Sequence, residues 1–242
     1  MNQFSNPAVT QPAMDQGLRA FMLGTYRWMA VAMGVSGVSA YLVGQQLATN
    51  PGLQRLLLGN IVVSIAFIGI VMFGFSFFAK RLATMSKGAL VIALMVFAAF
   101  LGVIASPVAL LYPAAEVAKV FFMAVAMFGG LSLFGYSTNS NLGTIGRYAV
   151  IGFMAFVGVS ILSYFIPALR PTGVGGIIMN VIGLALVSVI TAWETQSLKR
   201  NYYAVAGVPG MAEKYSVFGA ASLLLAFYNI FMFLLQLFAS RD

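Results

Sequence analysis

The sequence has no cysteine and no histidine among its 242 residues. Their absence excludes disulfides, thiolate metal sites, nucleophile pairs based on Cys or His, and imidazole proton relays. Any cation site would have to be built from oxygen ligands. Such ligands suit a hard cation such as Ca²⁺ better than zinc or copper.

Charged residues are also scarce, at 7% of the chain against 61% hydrophobic residues. A soluble domain carries about 25% charged residues, so this chain could not cover a folded surface against water. Lipid removes that difficulty, because apolar side chains that face hydrocarbon need no hydration. The composition predicts an all-α, polytopic membrane protein with almost no water-soluble domain.

The net charge of +8 comes from 13 basic and 5 acidic residues. In a soluble protein this excess would suggest nucleic acid as a partner. In a membrane protein, basic residues occupy short loops and contact anionic lipid headgroups. We therefore expect the lipid bilayer as a partner and no nucleic acid.

A membrane-spanning helix needs about 20 mostly apolar residues. Seven apolar runs reach that length: 21–47, 56–79, 89–112, 117–136, 148–168, 174–198 and 217–238. Breaker and turn signals separate them, including Asn50-Pro51-Gly52 and Gly207-Val208-Pro209-Gly210. Pro107 and Pro113 predict an irregular end for the third helix.

These runs predict a seven-helix transmembrane domain at 21–239. A polar, cytoplasmic N-terminal tail is expected at 1–20 and a short C-terminal tail at 240–242. Small residues recur at four-residue spacing in three stripes, which predict close helix packing. The stripes are Ser36/Ala40/Gly44, Ala98/Gly102/Ser106 and Ala126/Gly130.

The distribution of Lys and Arg predicts the orientation. With a cytoplasmic N-terminus, nine of the 13 basic residues lie on the cytoplasmic side and four on the other. The nine are Arg19, Arg27, Lys80, Arg81, Lys87, Arg147, Lys199, Arg200 and Lys214; the four are Arg55, Lys119, Arg170 and Arg241. Seven spans then put the C-terminus outside.

Glu194 is the only one of the five acids that falls inside an apolar run. An ionised carboxylate in a bilayer costs several kcal/mol unless it is paired or hydrated, so it often marks an ion or proton path. Thr191, three residues earlier, lies on the same helix face and supports that interpretation. The alternative is an interfacial Glu194 that reaches the headgroups beside Lys199 and Arg200.

The sequence shows no arrangement typical of an enzyme. It has no paired carboxylates within a span, no G-x-S-x-G and no P-loop, and the glycines at 173–176 are typical of a loop that enters a helix. We predict a protein that is not an enzyme, with no catalytic residue, no cofactor and no certain metal ligand.

Three segments carry a family resemblance: GYSTNSNL at 135–142, WETQSLK at 193–199 and LLLAFYNIF at 223–231. In their order and spacing the chain resembles the Bax inhibitor-1, or transmembrane Bax inhibitor motif, family over nearly all residues after about Gly17. The resemblance implies a seven-helix bundle with the last helix at its centre. Bacterial members look like pH-sensitive calcium leak channels of the inner membrane.

The gate implied by the resemblance has two acids held near a basic residue. The first acid matches Glu194 and the basic residue matches Lys80, whereas the second acid falls on Ala226. A further family acid appears here as Asn141. Glu194 therefore lacks the second carboxylate that would share its proton. Asn229, on the last helix, is a supporting polar residue.

Glu194-Thr195, the segment 228–231 and the terminal residues 239–242 are similar to the proteobacterial YccA-like branch. That branch is associated with the membrane-anchored ATP-dependent protease FtsH, which the polar tail could contact. Two hypotheses follow: a calcium leak with Glu194 on its path, and a protease modulator in membrane protein quality control. The two roles are compatible.

Overall fold

The computed structural model describes residues 11–81 and 84–239. Within these residues the secondary structure is helical, with no strand. The helices are α1 Gln11–Thr49, α2 Pro51–Leu58, α3 Ile61–Arg81, α4 Lys87–Ala105, α5 Val108–Leu111, α6 Ala114–Ser137, α7 Gly143–Phe165, α8 Val174–Val205 and α9 Met211–Phe238, with a short 3-10 helix at Pro167–Leu169. The all-α prediction is confirmed.

Five segments of the described chain are long and apolar enough to cross a membrane. They are Lys87–Leu111, Ala114–Ser137, Gly143–Ser163, Val174–Val205 and Met211–Phe238. The first two predicted spans coincide with α1 and most of α3, which have 39 and 21 residues. The protein is a multi-pass membrane protein, and its count of seven spans stays a prediction.

Helix α1 begins at Gln11, ten residues before the predicted first span at 21–47. At about 1.5 Å per residue its 39 residues extend for roughly 58 Å, well beyond the ~30 Å hydrocarbon core. The second half of the predicted tail is therefore helix, and Leu18 within it is buried. Residues 1–10 and 240–242 lie outside the described residues.

Asn50 and Pro51 begin α2 as the sequence suggests. The Asn50 side chain caps the helix by accepting a hydrogen bond from the Leu53 amide at 3.1 Å, and Pro51 occupies the first turn, where no N–H is needed. The predicted second span was drawn too long at its start. Residues 56–58 belong to α2, and a break at Gly59 separates them from α3.

The predicted irregularity of the third span is confirmed. The long helix ends at Ala105, and a separate turn, α5, covers Val108–Leu111. Pro107 lies between them because it has no backbone N–H to continue the helix. At the predicted break before the last helix, Gly210 takes a φ of 72°, a left-handed conformation that favours glycine.

Helix α9 forms the centre of the bundle and packs against α1, α4, α6 and α8. In the most apolar stretch of α9, 67% of the residues are buried, whereas only 11% are buried in the corresponding stretch of α7. The central position implied by the family resemblance is therefore confirmed. Helices α6, α7 and α8 pack together on one side of α9, while α1 and α4 pack together on another.

Two of the three small-residue stripes mediate helix packing. Gly102 of α4 lies so close to Ser36 of α1 that a side chain at 102 would collide with the Ser36 carbonyl. Ser39 strengthens this contact by donating a hydrogen bond to the Ala99 carbonyl at 2.8 Å. Close approach of this kind is how helices gain packing energy in lipid.

The third stripe, Ala126/Gly130, was wrongly predicted to pack. Both residues are exposed, and a methyl group on Gly130 would meet no atom within 4 Å. Helix α6 instead makes its close contact at Gly135, against the backbone of Ala192 in α8. Spacing alone could not choose between these faces, because both carry small residues.

Candidate functional site

Glu194 lies on α8 and points towards the central helix. Its Oε2 accepts a hydrogen bond from Oγ of Ser222 on α9 at 2.5 Å, and the side chain is half-buried. Glu194 thus has a partner within the helix bundle. Of the two sequence-based alternatives, this geometry agrees with a carboxylate that faces another helix.

Close packing of α8 against α9 explains the Glu194–Ser222 contact. A methyl group on Gly219 of α9 would lie 2.5 Å from Leu198 of α8, and Gly183 of α8 lies directly against the ring of Phe233. Glycine at both crossings lets the two backbones approach. The serine hydroxyl therefore comes within reach of the glutamate side chain.

Lys199 and Arg200, the predicted interfacial partners of Glu194, contact a different part of the molecule. Lys199 donates a hydrogen bond to the Tyr136 carbonyl at 3.3 Å and lies 5.2 Å from the centre of the Tyr136 ring. Arg200 donates hydrogen bonds to Asn141 and Ser197. Both cations are thus engaged at the end of α6 and the turn after it.

Ala226 follows Ser222 by one helical turn on the same face of α9, and it is buried. The position of the absent second acid thus lies one turn beyond the hydroxyl that contacts Glu194. A methyl group can neither accept nor share a proton. Among the described residues, the Glu194 carboxylate accepts its hydrogen bond from Ser222.

Thr191 is fully buried, and its hydroxyl donates to the Val187 carbonyl in its own helix at 2.7 Å. Its donor is thus used within α8. Asn229 is half-buried on the Ser222 face of α9, about two turns or roughly 10 Å further along. No hydrogen bond from its side chain to a described residue is seen, and Asn229 does not reach Glu194.

Lys80, which the family resemblance matches to the basic residue of the gate, is exposed in the last turn of α3. Helix α3 packs against α2 and α4. Among the described residues, no hydrogen bond or ion pair joins Lys80 to Glu194. The structure therefore does not bring these two candidate residues together.

A polar clasp between α8 and the α6–α7 turn was missed by sequence reasoning. The Gln196 side chain donates to the Ser140 carbonyl at 2.7 Å and accepts from the Leu142 amide at 3.0 Å. Asn141, between them, accepts from the Gly143 amide at 2.9 Å and from Arg200 at 3.2 Å. The signal in the sequence was Gln196 itself, an amide side chain two residues after Glu194 and near the end of a predicted span.

A second polar chain crosses the bundle beside Glu194. The hydroxyls of Tyr26 and Ser132 lie 2.5 Å apart, and those of Ser132 and Thr195 lie 3.0 Å apart. This chain joins α1, α6 and α8. Together with the Gln196 clasp it fixes the rotation of α8, so that Glu194 faces α9.

In the part of the chain that the structure describes, no group of three or more His, Cys, Asp or Glu residues could hold a metal ion. A cation at Glu194 would meet one carboxylate and otherwise hydroxyl or carbonyl oxygens. Such a weak set of ligands fits transient passage of a hard cation better than tight binding.

Comparison with known proteins matches most of the chain to a family. Residues 18–242 match a family model described as inhibitor of apoptosis-promoting Bax1. A Caulobacter vibrioides protein is 34% identical, with 95% of this chain and 92% of the relative aligned. The inner membrane protein YbhL of Escherichia coli K12 is 28% identical, with 97% and 96% aligned. A Rickettsia prowazekii protein is 29% identical, with 94% and 92% aligned.

Proposed function

Because the chain belongs to the Bax inhibitor-1 family, we propose that it is a passive cation leak, with calcium as the transported ion and Glu194 on its path. The hydrogen bond between Glu194 and Ser222 is the observation that carries the proposal. A carboxylate directed at a neighbouring helix is costly in a membrane unless it is paired or hydrated. One hydroxyl is a small compensation for that cost.

The packing of α8 on α9 gives the proposed leak its gate. Gly183 and Gly219 bring the helices into direct contact on either side of Glu194. An ion could pass at this level only if α8 and α9 separate and the Glu194–Ser222 hydrogen bond breaks. The same bond would then close the path again when the helices return.

In this proposal Glu194 binds a proton alone and does not share it with a second carboxylate. The Ser222 hydroxyl can donate to an ionised carboxylate or accept from a protonated one. The contact is thus compatible with both states, and Ala226 offers no second site for the proton. Any dependence of the flux on pH would then follow the uptake of one proton at this site.

Calcium flux into liposomes that contain the purified protein tests the role of Glu194. Glu194→Gln keeps the size of the side chain and removes its charge, so we expect it to abolish the flux or its dependence on pH. Glu116→Gln is the matched control, because Glu116 pairs with Lys119 at the opposite end of the bundle. It should leave the flux unchanged.

Unchanged flux in Glu194→Gln would remove Glu194 from the mechanism. Equal losses of flux in both variants would mean that the flux responds to the loss of any negative charge. That result would contradict a specific role for Glu194. If the wild-type protein passes no cation at any pH, the leak itself is refuted.

A second candidate function is modulation of a membrane-anchored ATP-dependent protease of the FtsH type. One observation favours it: the first ten residues of α1 extend beyond the apolar run and expose Asp15 and Arg19. This polar surface is accessible to a partner outside the bilayer, on the side we propose to be cytoplasmic. Failure of the full chain to co-purify with the protease from native membranes would contradict this function.

A further inference from the structure

Two arginine side chains converge at the beginning of α7. Nε of Arg147 donates to the Gly143 carbonyl at 3.4 Å, and a methyl group placed on Gly143 would lie 3.7 Å from Nη1 of Arg200 on α8. Both arginines are exposed. Two guanidinium groups from different helices therefore flank the same glycine.

The framework beneath this arginine pair holds it together. Gly146, one turn into α7, lies directly against the indole of Trp193 on α8. The Gln196 clasp fixes the preceding turn to α8, and Asn141 accepts a hydrogen bond from Arg200 itself. The convergence thus follows from tight helix packing and from oriented hydrogen bonds.

Two nearby positive charges repel each other. The acidic side chains that the structure describes lie away from this arginine pair or contact other residues. Glu213 pairs with Lys87, and Glu116 pairs with Lys119. No ion pair of Arg147 or Arg200 with a carboxylate is seen among the described residues. Such a pair is stabilised by an anion that accepts hydrogen bonds from both guanidinium groups.

The position of the arginine pair indicates which anion this is. Ile145 and Tyr148 on either side of Arg147 are 57% and 70% exposed, so the apolar outer face of α7 begins at this level. A tyrosine beside charged residues at the end of a membrane-spanning helix is typical of the headgroup region. The anion within reach there is the phosphate of a phospholipid.

We propose that Arg147 and Arg200 form a binding site for the phosphate of an anionic phospholipid, in the leaflet at which α1 begins. Each guanidinium presents parallel N–H donors that match phosphate oxygens. Phosphatidylglycerol suits the two positive charges better than phosphatidylcholine, whose headgroup carries its own cation. This site is independent of Glu194 and of any ion flux.

Native mass spectrometry of the full chain, released from nanodiscs with equal amounts of phosphatidylglycerol and phosphatidylcholine, tests the site. We expect the wild-type protein to retain phosphatidylglycerol preferentially. In the double variant Arg147→Gln/Arg200→Gln that preference should fall by roughly tenfold, which corresponds to about 1.4 kcal/mol. Arg55→Gln/Arg170→Gln is the matched control: it removes two exposed arginines outside this pair and should change the preference little.

Three results would overturn the proposal: equal retention of the two lipids by the wild type, an unchanged preference in the double variant, or an equal loss in the control. Arg147→Gln alone keeps the Arg200–Asn141 bond, so it tests the site if the double variant does not fold. Inorganic phosphate added to the wild type separates the sources. A lipid site keeps its phosphatidylglycerol in millimolar phosphate, and displacement by the free ion would contradict a lipid site.

Discussion

Helices α9 and α7 are almost equally apolar, since their most apolar 18-residue stretches have mean hydropathies of 2.0 and 1.8. Helix α9 nevertheless lies at the centre of the bundle and α7 at its periphery. In α9, 67% of that stretch is buried, and in α7 only 11%. Lipid tails are as apolar as a protein core, so hydropathy does not drive one helix to the centre. Hydropathy finds membrane helices and cannot rank them by depth in the bundle.

The difference lies in side-chain size and in polar contacts. Helix α9 has a run of small buried residues, 219–222, where α1 and α8 can approach from two sides. Helix α7 turns Ile145, Tyr148 and Ile151 outwards and touches α8 closely at Gly146. Small residues of α9 thus contact two neighbouring helices, whereas the close contact of α7 at Gly146 is with α8.

The largest expected effect is at Gly219. Gly219→Leu would force a side chain between Leu198 at 2.5 Å and Thr25 at 3.2 Å. Overpacking of this kind costs typically 1–3 kcal/mol, and we expect about 3 kcal/mol at this three-helix contact. The melting temperature in detergent measures it.

The control for Gly219 is Gly158→Leu on α7, where a methyl group would meet no atom within 4 Å. It should leave the melting temperature unchanged or raise it slightly, because leucine favours helix more than glycine does. If the two substitutions had equal effects, the contrast between the central and the peripheral helix would be wrong.

A smaller loss is expected at the Gln196 clasp, which holds the peripheral α7 to α8. Gln196→Leu removes two hydrogen bonds and leaves the Leu142 amide without its side-chain partner. An unsatisfied buried group costs about 1–3 kcal/mol, so we expect a loss of about 2 kcal/mol in the free energy of unfolding. Gln236→Leu, at an exposed site on α9, should be nearly neutral. Equal stability of the two variants would show that the clasp contributes nothing.

The smallest effect is expected at Tyr26, in the polar chain between α1, α6 and α8. Tyr26→Phe removes one hydroxyl, while Ser132 keeps its contact with Thr195. Hydrogen bonds between membrane helices are worth about 0.6 kcal/mol on average, and we expect a loss of that size. Tyr41→Phe, at a residue that is 62% exposed, is the comparison. A loss as large as that of Gln196→Leu would contradict this ranking.

Much of the helical layout could be predicted, because its signals are local. Pro107 interrupts a helix by its own chemistry, and the Gly207–Gly210 break needs only the residues within it. The start of α1 could not be predicted from hydropathy, since its first turns are polar and are held by packing at Leu18. The exposed position of Gly130 was equally hard to predict, because a small residue can face lipid as easily as a helix.

The candidate site, like the fold, could be predicted from the sequence only in part. Scarcity of charge was enough to single out Glu194. Its partner Ser222 is 28 residues away, and only the packing of two helices brings it near. The opposite happened for Lys199, which is close in sequence and looked like a partner. Its ammonium group reaches Tyr136, 63 residues earlier, because that carbonyl ends a neighbouring helix.

The central position of α9 sets an order for biogenesis. Of the helices described here, the one that fills the middle is the last to leave the ribosome. Until it inserts, Thr25 lacks its partner Ser216 and Glu194 lacks Ser222. The contacts that α9 makes with α1 and α8 can therefore form only after those earlier helices have been synthesised.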